Sequence, residues 1–257
     1  MTLLPEWFLW VAAGLVGACL GSFLNVCIYR LPAGESVVAP RSRCPECGLQ
    51  IAWYDNVPVL SYLLLRGRCR GCGTRISPQY PIVELVTALV WVAAVVRNGP
   101  TWQALSVAVF VTLLLGIALT DARTYIIPNE FSVGGAVLGL LLALAPGGVT
   151  IRQAVIGAVL GFAVLWLAAV LGEWWLKKPA MGGGDIKMMA MIGAFLGPLG
   201  ALLSIFLGAL AGTLIFLPIS LKTRKLVPFG IFLAFGAAIA QGWGGEILHW
   251  YQSTFLV

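Results

Sequence analysis

The sequence predicts an all-α, polytopic membrane protein with about eight transmembrane helices and a polar loop between the first two. Of its 257 residues, 60% are hydrophobic and only 10% are charged, and the mean hydropathy is +0.96. A soluble domain carries about 25% charged residues, so the composition excludes an ordinary globular protein. Apolar runs approaching the roughly 20 residues that span a bilayer recur along the chain, separated by polar segments.

The apolar runs divide the chain into eight predicted helices. The sixth is the shortest, because it reaches only to Gly197, which Pro198 follows. Merging it with the seventh would move the basic residues at 222–225 to the opposite side of the membrane, so two separate helices are expected. We divide the chain into a first transmembrane helix (1–29), a loop (30–80) and a membrane domain (81–257). The predicted helices occupy residues 7–29, 81–96, 102–120, 131–146, 153–176, 186–197, 199–221 and 228–251.

The distribution of basic residues orients the predicted helices. If the loop is cytoplasmic, the segments 121–130, 177–187 and 222–227 lie on the same side. Of the 16 Lys and Arg residues, only Arg97 and Arg152 then fall on the other side, as the positive-inside rule requires. The net charge of +6 therefore reflects topology. It indicates attraction to membrane lipid headgroups and gives no reason to expect nucleic-acid binding.

The loop contains two CxxC pairs, separated by 21 residues. This spacing is typical of a zinc ion held by four thiolates. Disulfides and free thiols are the alternatives, but cytoplasmic thiols stay reduced. A structural role is expected, because four thiolates leave no coordination position open for water. The predicted ligands are Cys44, Cys47, Cys69 and Cys72.

Two of the three aspartates lie where an apolar segment meets a polar one. Asp121 follows the third predicted helix and Asp185 precedes the sixth, whereas Asp55 lies in the loop. Paired carboxylates share one proton. The ionised member can then activate water while the protonated member polarises a carbonyl, as in aspartic proteases. The alternatives are that the aspartates cap helices or pair with Arg123 and Lys187, or that they form a proton or ion pathway.

Other polar or small residues near the predicted membrane surface are candidates for lining the substrate-binding site. Consecutive glycines before Asp185 let an extended peptide approach the backbone closely. A buried Asn or Glu in an apolar helix needs a partner, and Gly21 and Ser22 would let a partner helix approach. The sole histidine, His249, falls on the external side, which argues against histidine chemistry at the aspartates. The candidates are Gly182, Gly183, Gly184, Glu84, Asn25 and Lys187.

Several motifs together resemble those of the bacterial type IV prepilin peptidases, which are membrane aspartic proteases of the GxGD type. They are GSFLNVCIYRLPAGES (21–36), the paired CxxC loop, WYDNVP (53–58), YPIVELVTAL (80–89), DARTYIIPN (121–129) and GGGDIK (182–187). The GxGD motif also occurs in presenilin-like proteases and archaeal preflagellin peptidases. The cysteine loop favours the bacterial enzymes over both.

The resemblance implies a multi-pass enzyme of the bacterial inner membrane with its active site on the cytoplasmic side. Such enzymes remove the basic leader of type IV prepilins and type II secretion pseudopilins, and many then N-methylate the new N-terminus with S-adenosyl-L-methionine. It assigns catalysis to Asp121 and Asp185, zinc binding to the four cysteines, and the protease domain to 81–257. Asn129 stands where many members have Asp. Methylation rests on the resemblance alone, since no glycine-rich methyltransferase fingerprint follows a predicted strand.

Two other classes of protein are compatible with the sequence. A non-catalytic membrane assembly factor with a zinc loop would not need one carboxylate at each of two matched depths. A cation-coupled transporter that uses the two carboxylates should show inverted repeats with broken helices, and the hydropathy pattern contains no convincing repeat.

Overall fold

A computed structural model describes residues 5–179, 181–223 and 228–255. Arg224 and Lys225, which contribute to the predicted charge asymmetry, lie outside this range. The described residues contain helices and isolated bridges but no named strand, which confirms the all-α prediction. The α-helices are α1 (Glu6–Arg30), α2 (Leu60–Leu64), α3 (Gln79–Asn98), α4 (Trp102–Thr124), α5 (Asn129–Leu142), α6 (Ile151–Leu176), α7 (Gly183–Thr223) and α8 (Phe229–Phe255).

Six of the described helices are long and apolar enough to cross a membrane, judged by length and composition, and α5 is a shorter apolar helix. The polytopic prediction is therefore confirmed, whereas the exact number of crossings stays a prediction. Within α7 the backbone leaves helical geometry at Gly197, whose φ is +70°, and Pro198 follows. This break separates the two segments that the sequence predicts as the sixth and seventh helices.

Both aspartate-bearing helices extend further than predicted. Helix α4 continues to Thr124, four residues past the predicted end, so Asp121 lies within its last turn. Helix α7 begins at Gly183, three residues before the predicted start, so Asp185 lies within its first turn. A carboxylate is favourable there because the first N–H groups of a helix have no intrahelical partner and the helix dipole is positive at that end.

The chain forms two compact units, residues 1–108 and 109–257. In the first unit, α1 packs closely against α3. A Cβ atom added to Gly21 would lie 2.7 Å from Cα of Glu84, and one added to Gly17 would lie 2.9 Å from Cα of Ala88. The expected approach of a partner helix at Gly21 is thus confirmed.

The loop of the first unit contains a structural repeat. Residues 43–51 (RCPECGLQI) and 68–76 (RCRGCGTRI) match with an offset of 25 residues. In both, the first cysteine N–H donates to the carbonyl five residues later, and its carbonyl accepts from the glycine four residues later. Those glycines, Gly48 and Gly73, have φ of +70° and +72°, a conformation that glycine adopts without steric cost. We call the two copies knuckle 1 (43–51) and knuckle 2 (68–76). In each, an isolated antiparallel bridge joins the first residue to the eighth.

In the second unit, α7 packs against α5, α6 and α8. Gly193 of α7 and Gly157 of α6 lie backbone to backbone, so a Cβ on either would collide with the other helix. Further along, a Cβ on Gly208 would lie 2.9 Å from the carbonyl oxygen of Phe232 in α8. Small residues are the usual means of close helix packing in membranes. Asp185 therefore lies at the start of α7, the helix that packs against three others in this unit.

Candidate active site and metal centre

Asp121 is a buried carboxylate in the last turn of α4, with 5% of its surface exposed. Its Oδ2 accepts a hydrogen bond from the backbone N–H of Ile231 at 3.2 Å. Ile231 lies in the first turn of α8, where N–H groups have no intrahelical partner. A Cβ atom added to the preceding Gly230 would lie 2.8 Å from the same Oδ2. The start of α8 therefore fixes the orientation of the Asp121 carboxylate.

Asp185 is half-buried in the first turn of α7. Its backbone N–H donates to the carbonyl of Gly182 at 3.2 Å. The preceding Gly184 packs against Ile127, which also packs against Gly230 beside the Asp121 carboxylate. The structure therefore brings together the two carboxylates that lie far apart in the sequence.

Ile127 lies between the backbone segments that carry or contact the two aspartates. A Cβ atom added to Gly184 would lie 2.9 Å from Cβ of Ile127, and one added to Gly230 would lie 2.9 Å from its Cδ1. A side chain at position 184 would collide with the branch point of the isoleucine, and one at position 230 would force its Cδ1 to move. Ile127 thus connects the start of α7 with the start of α8, next to both carboxylates.

The glycines and the lysine around Asp185 have different surroundings. Gly182 and Gly183 are exposed, and a Cβ on Gly183 would meet open space. Gly184 is packed against Ile127, which gives it a structural reason to lack a side chain. Lys187 donates through Nζ to Oδ1 of Asn129 at 2.9 Å, so it links the N-terminal part of α7 to the first residue of α5.

Asn25 and Glu84 both lie in the first unit, in buried positions. Asn25 Nδ2 donates to the carbonyls of Gly21 at 3.2 Å and Tyr80 at 3.1 Å, so α3 supplies a partner for its amide nitrogen. Its buried Oδ1 has no hydrogen-bond partner among the described residues. Glu84 accepts the backbone N–H of Val59 through Oε2 at 2.7 Å. A backbone N–H of the loop is therefore the hydrogen-bond partner of this buried carboxylate.

The Glu84 contact holds an unusual turn. Val59 has φ 60° and ψ −50°, and the N–H of Leu60 donates to the carbonyl of Pro58 at 2.6 Å. This is a γ-turn of the rare, strained kind, here with a β-branched residue at its centre. The buried carboxylate accepts the N–H that this turn directs outward. Glu84 thereby attaches the loop to the start of α3.

The four cysteines form a site of the correct size for zinc. Their Sγ atoms all lie within 4.8 Å of one another, and those of Cys44 and Cys72 are 3.8 Å apart. Zn–S bonds of about 2.3 Å in tetrahedral geometry place sulfur atoms about 3.8 Å apart. Among the described residues, no other group of three or more potential metal-binding side chains has a geometry that could hold an ion. The cysteine set therefore fits a tetrathiolate ion.

Polar contacts prepare the loop for this metal. Backbone N–H groups of Cys72 and Gly71 lower the pKa of the Cys69 thiol to about 7, which favours the thiolate at this one position. The pKa of the neighbouring Cys72 thiol is raised to about 11, because its backbone hydrogen bond with Thr74 is outweighed by burial and the adjacent thiols. Arg70 donates two hydrogen bonds to Asp55, at 2.7 and 2.6 Å. This bidentate bond from Arg70 lowers the pKa of the Asp55 carboxyl. It joins the WYDNVP segment to knuckle 2.

These features define a class: a multi-helix membrane protein with a carboxylate pair of the kind that aspartic proteases use and a loop that can hold a tetrathiolate metal. Residues 15–98 match the bacterial peptidase A24 N-terminal domain, and residues 108–217 match the type IV leader peptidase family. The chain belongs to the type IV leader peptidase family.

Curated relatives carry the name prepilin leader peptidase/N-methyltransferase. That of Aeromonas hydrophila is 36% identical, over 97% of this chain and 96% of its own length. That of Neisseria gonorrhoeae is 34% identical, over 90% of this chain and 87% of its own. That of Myxococcus xanthus is 44% identical over 71% of this chain, but the match covers 54% of its own length. No solved structure gives a significant match.

Sequence reasoning did not identify Ile127, Gly230 or Ile231 as part of this site. Ile127 belongs to the motif that carries Asp121, but an apolar residue beside a carboxylate offers no chemical reason to select it. Ile231 lies 110 residues from Asp121. The Pro-Phe-Gly sequence at 228–230 does indicate a helix start, where free N–H groups can hold a carboxylate.

The geometry of the cysteine site predicts one bound zinc ion per chain. Replacing both Cys44 and Cys72 by Ser should release it and increase protease cleavage within residues 30–80, because metal binding supplies folding free energy to such a loop. Metal analysis of the purified protein and limited proteolysis measure the two effects. Cys19→Ser is the matched control, since Cys19 lies in α1 away from the cluster. Full zinc retention by the double variant would contradict the assignment.

Proposed function

We propose that this protein removes the leader peptides of type IV prepilins and pseudopilins, with Asp121 and Asp185 as the catalytic pair, and then N-methylates the new N-terminal residue. The observation that carries the proposal is the packing of Ile127 against Gly184, which precedes Asp185, and against Gly230, which contacts the Asp121 carboxylate. Membership of the leader peptidase family and the names of the relatives support the substrate class and both activities.

Peptide hydrolysis by this pair needs no further catalytic side chain. The ionised carboxylate takes a proton from water, and the resulting nucleophile attacks the scissile carbonyl. The protonated carboxyl donates a hydrogen bond to the carbonyl oxygen as negative charge develops there. Proton transfer to the nitrogen then lets the new amine leave. Ile231 acts as a positioning residue, because its N–H orients Asp121.

Zinc held by Cys44, Cys47, Cys69 and Cys72 has a structural role in this proposal. Four thiolates would complete the coordination of a bound zinc ion, so it would supply folding free energy to the loop and no Lewis acid for hydrolysis. The Arg70–Asp55 and Glu84–Val59 hydrogen bonds attach the surrounding loop at two further points.

S-adenosyl-L-methionine is the proposed methyl donor, on the strength of the relatives' names. Many dinucleotide-binding proteins use a strand, a glycine-rich turn and a helix to bind their ligand. The described part of the chain has no named strand, so this arrangement does not identify a donor site here.

The proposed location of cleavage is the cytoplasmic surface of the inner membrane. Asp121 lies in the last turn of one apolar helix and Asp185 in the first turn of another. A prepilin suits this position, because its apolar segment can stay in the bilayer while its basic leader stays in the cytoplasm. Each leader Lys or Arg gains about 1 kcal/mol near anionic headgroups.

The carboxylate pair is tested by Asp121→Asn and Asp185→Asn. Each should reduce the rate of leader removal by at least about a thousandfold, and the double variant should be no slower than either single variant, because the two residues act as one unit. Cleavage of a purified prepilin, followed by mass spectrometry, measures this. Glu173→Gln makes the same carboxylate-to-amide change at an exposed site and should cleave normally. Substantial activity in either aspartate variant would rule out the pair.

The depth of the site predicts a limit on where a substrate can be cut. Moving the cleavage site about five residues into the prepilin's apolar segment displaces it by about 7.5 Å along a helix, and cleavage should stop. Inserting the same number of residues between the cleavage site and that segment should also slow cleavage. The two substrates are compared with the unmodified prepilin in lipid vesicles. Normal rates for both would show that depth does not select the bond.

A further inference from the structure

A cavity of about 590 Å³ lies beside knuckle 2, at the point where the loop enters α3. Its wall is strongly basic, because three of its eight lining residues are arginines and none is acidic. The residues that line it are Tyr62, Arg66, Gly67, Arg68, Arg75, Ile76, Ser77 and Pro78.

Two of these arginines face each other. Arg68 and Arg75 form an antiparallel bridge, so their side chains lie on the same face with Cβ atoms about 5 Å apart. Like charges directly opposite each other are destabilising. Arg66, two residues before Arg68, has a positive φ of 52°. Within the described residues none of the three guanidinium groups has a hydrogen bond or ion pair with the protein.

The wall of the cavity is held by specific contacts. Tyr62 donates its hydroxyl to the carbonyl of Ile76 at 3.4 Å, and a Cβ on Gly67 would lie 2.9 Å from the Tyr62 ring. Ser77 and Pro78 immediately precede Gln79, the first residue of α3, which is apolar and long enough to span the membrane. If α3 spans the bilayer, a cavity at its first residues would lie near the lipid headgroups.

Knuckle 1 lacks this concentration of charge. The offset of 25 residues makes Arg43 the equivalent of Arg68, and Gln50 the equivalent of Arg75. The corresponding bridge, Arg43 to Gln50, therefore has one charge and not two. The same backbone forms without the second arginine, so the knuckle itself does not require Arg75.

We propose that this cavity binds the phosphate group of an anionic phospholipid, with Arg66, Arg68 and Arg75 as its ligands. Guanidinium groups bind phosphate oxygens through two parallel N–H bonds. A bound phosphate relieves the repulsion between Arg68 and Arg75, and it joins the cysteine loop to the membrane surface. The proposal uses no residue of the carboxylate pair and does not depend on the proposed peptidase activity.

A different role for these arginines is to balance the negative charge of four zinc-bound thiolates. Arg68 directly precedes Cys69, so this role has to be tested in the same experiment. The two roles differ in their consequences. Loss of a zinc-balancing arginine lowers metal retention, whereas loss of a lipid-binding arginine lowers lipid affinity and leaves zinc in place.

The test uses the full-length, zinc-loaded protein in detergent and titrates it with short-chain phosphatidylglycerol, phosphatidylcholine and inorganic phosphate, each followed by native mass spectrometry. Phosphatidylglycerol should bind at least about tenfold more tightly than the other two. Arg75→Gln, which installs the residue found in knuckle 1, should weaken its binding about fivefold, the equivalent of about 1 kcal/mol. Arg68→Gln combined with Arg75→Gln should weaken it about thirtyfold.

Arg43→Gln is the matched control, because it neutralises the equivalent arginine of knuckle 1, and it should leave lipid affinity unchanged. Equal affinity for inorganic phosphate and phosphatidylglycerol would overturn the lipid assignment. Reduced zinc content with unchanged lipid affinity in Arg75→Gln would assign the arginines to the metal and overturn the proposal. If Arg75→Gln loses both zinc and lipid affinity, Arg66→Gln distinguishes the two roles, because Arg66 lies outside the knuckle. Unchanged lipid affinity in Arg66→Gln would also overturn the proposal.

Discussion

The arrangement of this protein's candidate active site depends on the packing of Ile127 against two glycines. Ile127 contacts Gly184 next to Asp185, and Gly230 next to the N–H that holds Asp121. Catalysis by a carboxylate pair requires precise placement of both carboxylate groups, since a shift of about 1 Å can lower the rate a hundredfold. Helix starts provide the N–H donors, and one apolar side chain fixes how near the two starts approach.

In the first unit, a metal site and polar contacts stabilise a loop that is too short to have its own hydrophobic core. Two knuckles with the same backbone hydrogen bonds bring four thiols to within metal-binding distance. The Arg70–Asp55 pair and the Glu84–Val59 bond then attach the intervening segment to knuckle 2 and to α3. The strained γ-turn at Val59 persists because a buried carboxylate accepts its N–H.

Much of this could be predicted from the sequence, because composition and spacing determine it. Apolar run lengths predict the helices, the CxxC spacing predicts the thiol cluster, and the positions of Asp121 and Asp185 at helix ends predict their proximity. Contacts without a local pattern could not be predicted. The bond from Ile231 to Asp121 joins residues 110 positions apart, and the role of Glu84 depends on a turn whose φ no motif indicates. The helix ends that carry Asp121 and Asp185 differed from prediction by four and three residues because those terminal turns are polar.

The most direct test of the central claim is the mass of the prepilin N-terminus after reaction with a Gly230→Ala variant. The added methyl group would meet Asp121 Oδ2 and Ile127 Cδ1, which displaces the carboxylate without breaking the helix. The account predicts a rate of leader removal at least about a hundredfold lower, with zinc content and thermal stability close to those of the unaltered protein. Gly245→Ala, in the same helix with open space around it, should process the substrate normally. Equal processing by both variants would contradict the account.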